Sequence, residues 1–364
     1  MTTVFDQLID HIALYLPPKD LYYLLTLNKK YNSILTSDRF WRRKTKKDYN
    51  ITRKREHQTW IDRYKLASSM GHIVIHDLCN ELVHFDIGVE LNIDHFSNTR
   101  LLPYKAITAI LVRPCLYYID DDYNLYMVGE PNYAGRIYKV PTLLDINVTK
   151  LDGGPHDFFY IKEGDIYYHA DEGTIRITNR HDIIDFSLCG SFISYITTTN
   201  KLYQLEYNND TDEWLSTDRE QSDVISVLQY YNAQIWVNKN GQITTDNILL
   251  REQIKNYPAL TNIVDTYGDF LFVTAQGELI SMNVLQPADP FDIDRELEYY
   301  FKHEFPNIQG IIDANICYDT SYIMVIGRTK KGELYINTPD NKVIKLNLKA
   351  KNICKSPTNN ILIV

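Results

Sequence analysis

The sequence predicts a small all-α head plus an all-β body, the body being a seven-bladed β-propeller closed by pairing of its N- and C-terminal strands. Three observations predict it. A turn-centred unit recurs about every forty residues, as in Asp185 to Tyr203, where two apolar strands flank a turn at Asn200-Lys201. Charge divides the chain near residue 70: residues 1–70 carry 14 Lys/Arg against 7 Asp/Glu, residues 71–364 carry 24 against 40. Successive short segments with apolar residues at helical spacing fill the basic side of that boundary.

The head comes first. Phe5, Leu8, Ile9, Ile12 and Tyr15 recur at helical spacing over Val4 to Tyr15. Leu16-Pro17-Pro18 ends that helix, because proline constrains the residue before it and cannot continue the hydrogen-bond ladder. Pro18 suits the first turn of a second helix, Lys19 to Leu27, with Leu21, Leu24 and Leu25 on one side. Asn28 caps a third, Lys29 to Leu35, and Ser37 or Asp38 a fourth that carries Phe40 and Trp41. Thr59 to Ser69 reads as a linking helix. The expected division is a helical domain over 1–50, a linking helix over 51–70 and the propeller over 71–364.

The residues Tyr15-Leu-Pro-Pro-Lys-Asp-Leu21, Leu24, Lys29-Lys-Tyr-Asn32, Ile34 and Phe40-Trp-Arg-Arg43 follow the order and spacing of an F-box, and residues 4–48 resemble that family. The family's usual opening Leu-Pro is Val4-Phe5 here. The resemblance implies docking onto a Skp-type adaptor and so onto a cullin ubiquitin ligase. A 45-residue bundle has more apolar side chains than it can bury, and Phe5, Leu8, Ile9, Ile12, Leu16, Pro18, Leu21 and Leu25 are the candidate adaptor-binding anchors. Half of them are equally accounted for as the bundle's own core.

Arg39, Arg42, Arg43, Lys44, Lys46, Lys47, Arg53, Lys54 and Arg55 make a basic cluster dense enough for nucleic acid or nuclear import. No aromatic interleaving or nucleic-acid motif accompanies it, so we read it as a solvated or partner-facing surface rather than a nucleic-acid site.

From Gly71 onward short strands alternate with turn signals. Apolar strands start near Ile107, Ile146, Ile183, Val224, Ile263, Ile311 and Ala350, at steps of 37 to 48 residues. A period near forty in β units is that of propeller blades. A single strand at Asn360 to Val364 and an orphan second strand at Gly71 to His76 would together complete a seventh blade and remove free edges. Asn-Gly, Glu-Gly, Gln-Gly and Lys-Gly pairs supply the positive φ of tight hairpins. The run from Ile184-Asp185 to Tyr203 resembles the repeat of the regulator-of-chromosome-condensation family, which implies architecture only. The usual Trp-Gly after the last strand is absent.

Two places break the period. Residues 80–106 form the outer part of the first blade. Residues 284–310 add roughly nine residues, and Phe291 to Phe301 reads as an amphipathic helix with Ile293, Leu297, Tyr300 and Phe301 on one face, the candidate target-binding residues.

Catalytic patterns are missing: no nucleophile elbow, phosphate loop, dinucleotide fingerprint or His-Glu-x-x-His. Leu151 to Asp157 groups Gly, His and Asp but reads as a loop between blades, and Asp120-Asp121-Asp122 as exposed turn residues. The five scattered cysteines have no metal-like spacing and read as core residues of a reducing compartment. No run of eighteen apolar residues occurs, and no signal or transit peptide opens the chain. The expectation is a non-enzyme without metal, cofactor or membrane contact, cytoplasmic or nuclear. Its function would be that of a substrate receptor in a Skp–cullin–F-box ligase, the propeller recruiting an unknown protein target. The alternative is a structural or scaffold propeller without ligase role. Abundant Tyr, Ile, Asn and Lys suggest an A/T-rich coding genome, and with the divergent F-box would suit a large DNA virus.

Overall fold

The computed structural model describes residues 11–16, 21, 35–49, 54, 58–76, 89–93, 96–112, 115–129, 138–154, 157–170, 173–217, 220–230, 233–247, 251–252, 254, 260–265, 270–274, 276–285, 298–319, 322–337, 342–354 and 361–364. It forms two compact units, Met1–Met70 and Gly71–Val364.

In the first unit, α1 (Asp38–Tyr49) and α2 (Trp60–Ser69) are the two full helices among the described residues. Thr59 caps α2, its hydroxyl accepting from the N–H of Asp62 at 3.2 Å. Asp38 at the start of α1 accepts from the N–H of Trp60 at 2.7 Å, so one carboxylate ties the two helix starts together. Ala13, Leu14, Leu21, Leu35, Phe40, Trp41, Trp60 and Tyr64 share one core. The helix at 60–69 therefore contributes to the core of the unit rather than serving only as a connection. The expected four-helix head is not shown: residues 1–10, 17–20, 22–34, 50–53 and 55–57 lie outside the described residues.

The second unit is built of antiparallel sheets, in which each strand pairs with the next in sequence except where the two ends of the unit meet. It opens with β1 (Gly71–His76), β2 (Val89–Ile93) and β3 (Phe96–Ala106). Then come β4 (Thr108–Val112), β5 (Cys115–Ile119), β6 (Leu125–Gly129) and β7 (Tyr138–Asp145). The next sheet holds β8 (Val148–Gly153), β9 (Phe158–Lys162), β10 (Asp165–Ala170) and β11 (Gly173–Arg176). After it stand β12 (Ile183–Cys189), β13 (Phe192–Thr197), β14 (Leu202–Asn208) and β15 (Glu213–Ser216). The following sheet has β16 (Val224–Tyr230), β17 (Ala233–Asn238) and β18 (Ile243–Thr245). Two more are β19 (Leu260–Asp265) to β22 (Glu298–His303), through β20 (Phe270–Thr274) and β21 (Leu279–Leu285), and β23 (Ile311–Asp319) to β26 (Val343–Lys349), through β24 (Tyr322–Thr329) and β25 (Glu333–Asn337). Finally β27 (Ile353–Cys354) and β28 (Ile361–Ile363) join the opening strands in the order β2-β3-β1-β28-β27.

The expectation of seven blades is corrected by this strand order. Five sheets have the regular four-stranded form of a propeller blade, while β16–β18 is a three-stranded sheet and the sheet joining the two ends of the chain has five strands. The forty-residue count treats every apolar inner strand as a full blade, but strand number differs from sheet to sheet. Val74 pairs with Ile363 and His76 with Ile361, so the ends of the unit do share a sheet. The strand Gly71–His76 is third in that sheet, behind an innermost Ile353–Cys354.

A second correction concerns Glu298–His303. The helical pattern over 291–301 gives way there to strand β22, with Asn283 opposite Tyr300 and Met282 opposite Phe301. The edge of β21 offers a ladder of backbone partners, which outweighs the intrinsic period of a short segment.

Packing between sheets is aromatic and aliphatic. Tyr117 stacks on Phe158 with centroids 3.8 Å apart, across two neighbouring sheets, and Phe159 meets Trp214 edge-on at 5.9 Å. Tyr160 is fully buried, and burial raises its phenol pKa further above the ordinary range.

Candidate functional site

The innermost strand of each sheet lies beside the innermost strand of the next, in the series β4, β8, β12, β16, β19, β23, β27 and back to β4. Two recurring devices join them. The first is the turn between the second and third strands, whose carbonyl catches the next sheet. Tyr123 O accepts from Val148 N at 2.9 Å, Gly164 O from Ile183 N at 3.0 Å and Asn200 O from Val224 N at 3.0 Å. Gly277 O accepts from Ile311 N, and Gly332 O from Ala350 N, both at 2.9 Å. All five carbonyls belong to residues of positive φ. At Gly277 a Cβ would stand 2.6 Å from the backbone of Gly310, so close approach as well as φ requires glycine there.

The second device is the fifth residue of an innermost strand, whose side chain reaches the next innermost strand. Asp152 accepts from Leu188 N at 3.1 Å, Ser187 from Gln229 N at 3.1 Å, and Asn315 donates to Cys354 O at 3.1 Å. Asp313 adds an acceptor for Ile353 N at 2.9 Å. Burial raises the pKa of Asp313, and Ile353 N–H and the Arg328 guanidinium oppose that rise.

Several polar groups that look reactive are likewise spent on internal hydrogen bonds. Asp165, 1 % exposed, accepts from Arg180 N at 2.6 Å, Arg176 Nη2 at 2.5 Å and Thr178 Oγ1 at 3.1 Å. Burial works against its charge, yet these donors together hold its pKa below the ordinary carboxylate range. Glu304 is buried between Ser281 and Asn337, whose amide donates at 2.6 Å. A β-sheet layer holds Gln229, Gln204, Ser194 and Gln234 in one buried hydrogen-bond chain. The thiols of Cys115 and Cys354 are free, and burial pushes each up to about 12, far from thiolate chemistry at neutral pH. Among the described residues no group of three His, Cys, Asp or Glu could hold a metal ion. Among them, too, no helix is long and apolar enough to cross a membrane.

The residues singled out from the sequence fall unevenly. Phe5, Leu8, Ile9, Pro18 and Leu25 lie outside the described residues, as do Ile293 and Leu297. Leu21 is 1 % exposed and belongs to the core of the first unit, and Leu16 packs against that core. Ile12, by contrast, is half exposed, and Tyr15 is 64 % exposed. Of the basic cluster, Lys44 is buried, donating to Leu14 O at 3.0 Å and pairing with Asp48 at 2.7 Å. Lys47 donates to the same carbonyl at 3.1 Å and stands 3.4 Å from the Tyr15 ring centre. Part of the cluster thus satisfies a backbone carbonyl inside the unit. The Asp152 region is innermost strand β8, not an inter-blade loop, so that reading is corrected too. Asp120 behaves as a turn residue, accepting from Asp122 N and Asn124 N. A cavity of about 430 Å³ opens beside Asp38, Trp41, Lys54 and Thr59, and the indole N–H of Trp41 is buried without a partner.

No family model and no curated protein matches the sequence. Solved structures do match the fold. Human WBSCR16 superposes with a TM-score of 0.54 at 8 % identity, covering 80 % of this chain and 98 % of that one. Prp20p of Saccharomyces cerevisiae, studied for its binding to Gsp1p and histones, gives 0.54 at 10 % identity, covering 80 % and 90 %. The yeast RCC1 (Prp20) structure with Kap60 gives 0.50 at 10 % identity, covering 80 % and 88 %. This chain therefore shares an RCC1-like β-propeller fold with them.

Proposed function

We propose that the chain is a non-catalytic protein-interaction scaffold. The observation that carries this reading is how the inner strands spend their chemistry. Asp152, Ser187, Asp313 and Asn315, polar side chains on innermost strands, all bond to the next innermost strand rather than converging on a reaction centre. A propeller of like fold, Prp20p, is known with protein partners, which supports a binding role without naming a partner for this chain. Affinity capture with the full chain, followed by chemical cross-linking, tests the reading. Stoichiometric protein partners cross-linked to residues 71–364 are expected. A chain that recovers no partner from any cell extract, or that turns over a small molecule, would not be a scaffold.

One observation favours a second reading, in which the first unit docks a Skp-type adaptor as an F-box does. Ile12 and Tyr15 expose apolar surface on the segment that also buries Ala13 and Leu14, and helix-in-groove partners use such residues as anchors. Binding of purified Skp-type adaptor to the full chain, and its loss on Ile12→Asp, is the test. Because Ile12 is solvent-exposed, this substitution spares the core that Leu16→Asp or Leu21→Asp would damage. No adaptor binding by the wild-type chain would remove the ligase reading and leave the scaffold reading standing.

A further inference from the structure

Innermost strands carry a recurring irregularity. Val148 pairs with Lys162 and Lys150 with Ile161, leaving Thr149 unpaired. The same one-residue excess falls on Ile184, Ile225, Thr261 and Ile312 in the strands beginning at Ile183, Val224, Leu260 and Ile311. Each is a β-bulge at the second residue of the strand, and those at Thr149, Ile184, Ile225 and Ile312 directly follow the N–H that a neighbouring turn captures. A bulge re-aims its side chain out of the regular alternation. Here it exposes what the sequence would bury: Ile184 is 50 % and Ile225 is 49 % exposed, on adjacent inner strands.

Most other exposed large apolar residues of this unit lie elsewhere. Val140, Leu143, Ile175, Leu215 and Val343 sit on the outermost strands of their sheets. Ile146, 48 % exposed, stands two residues before an inner strand and joins Ile184 and Ile225 on three successive sheets. Acidic groups surround these three. Segments 145–150, 162–165, 176–185, 197–201, 220–226 and 238–242 at this end of the three sheets, together with the 119–124 turn of the preceding sheet that holds Val148 N, carry ten Asp/Glu against six Lys/Arg, three of the acidic residues being Asp120, Asp121 and Asp122 of that turn. Lys150 is paired with Asp185, Arg180 with Asp182, and Lys239 with Asp223. The cations are therefore engaged, and the excess charge is negative.

We propose that Ile146, Ile184 and Ile225 form an apolar collar that binds a partner-protein segment presenting an aliphatic side chain flanked by lysine or arginine. The bulges provide the anchor surface and the acidic turns the complementary charge. This rests on the scaffold reading and names the surface and the chemistry of its partner.

The test uses the full chain and three fluorescent hexapeptides: alternating Lys-Leu, alternating Glu-Leu, and all Lys. The expected result is binding of the Lys-Leu peptide about tenfold tighter than either control, which is about 1.4 kcal/mol. The Ile184→Asp, Ile225→Asp double variant should lose that preference, and Val140→Asp, Leu143→Asp on an outer strand should keep it. Equal binding of the Lys-Leu and all-Lys peptides, or an unchanged preference in the collar variant, overturns the proposal. So does a concentration-dependent dimer in light scattering that the collar variant abolishes, since the collar would then serve a second copy. Cross-linked partners retained by the collar variant would sink the collar alone, whereas absence of any partner of the wild-type chain would sink the scaffold reading.

Discussion

The hydroxyl of Ser187, on the innermost strand of one sheet, accepts a 3.1 Å hydrogen bond from the backbone N–H of Gln229 on the innermost strand of the next. Both residues are buried, so the bond has no water to replace it. Ser187→Ala leaves a buried N–H without its acceptor and is expected to cost about 1–2 kcal/mol. Asp152, which does the same for Leu188 N, is an acceptor of greater strength. Asp152→Ala is expected to cost about 2–3 kcal/mol. Denaturant midpoints measure both. Unshifted midpoints would mean that these side chains do not hold neighbouring sheets together.

Two glycines of positive φ separate backbone strain from close approach. Gly190 has φ +55 with open space around a would-be Cβ, whereas Gly277 has φ +78 with Gly310 at 2.6 Å. Gly190→Ala should cost about 1 kcal/mol, from the left-handed conformation alone. Gly277→Ala should cost clearly more, because it also pushes away the turn that holds Ile311. Thermal unfolding of the two variants side by side gives the order, and equal losses would remove the latch role of that turn.

Much of the second unit is legible because its signal is local. Asn200, Gly277 and Gly332 are residue types that tolerate positive φ, and they mark the turns in the sequence. Tyr123 adopts φ 59 at the equivalent place and carries no such mark. The bonds between sheets are illegible for another reason: Asp152 and Leu188 stand 36 residues apart, Ser187 and Gln229 42. Nothing in either neighbourhood announces a partner at that distance. The bulges at Ile184 and Ile225 hide inside ordinary apolar strand patterns, since a one-residue excess changes pairing without changing composition. Residues 298–301 show the opposite failure, a convincing helical period overruled by an available strand edge. In the first unit the basic cluster announced charge but not that Lys44 is buried against Leu14 O.

Asp165 gives stability a pH dependence of known sign. Its folded-state pKa is lowered, despite burial, by Arg180 N–H, Arg176 and neighbouring donors. A lowered carboxyl contributes stability that is present above its unfolded pKa, about 3.9, and is lost as pH falls through the folded value. Asp165→Asn removes that contribution. The wild-type chain should unfold at a higher temperature than the variant at pH 7, by about 2 kcal/mol of stability. The gap should shrink as the pH is taken below 4. A gap that stays constant across that range would place the effect in packing and not in charge.

Lys44 and Lys46 are two residues apart on α1 but have different surroundings. Lys44 is 2 % exposed, with its ammonium on Leu14 O and Asp48, whereas Lys46 is exposed. Lys44→Met leaves Asp48 without its cation and removes one of two donors from Leu14 O. We expect a loss of about 1–3 kcal/mol in the first unit. Trp41 and Trp60 both lie in that unit's core and report on it by fluorescence. Lys46→Met should leave the transition where it is. If the cluster instead serves a polyanion, the two substitutions would weaken salt-dependent binding to duplex DNA alike, each lowering the salt slope by about one. A stability loss for Lys44→Met alone, with DNA affinity unchanged in both, assigns this lysine to the fold.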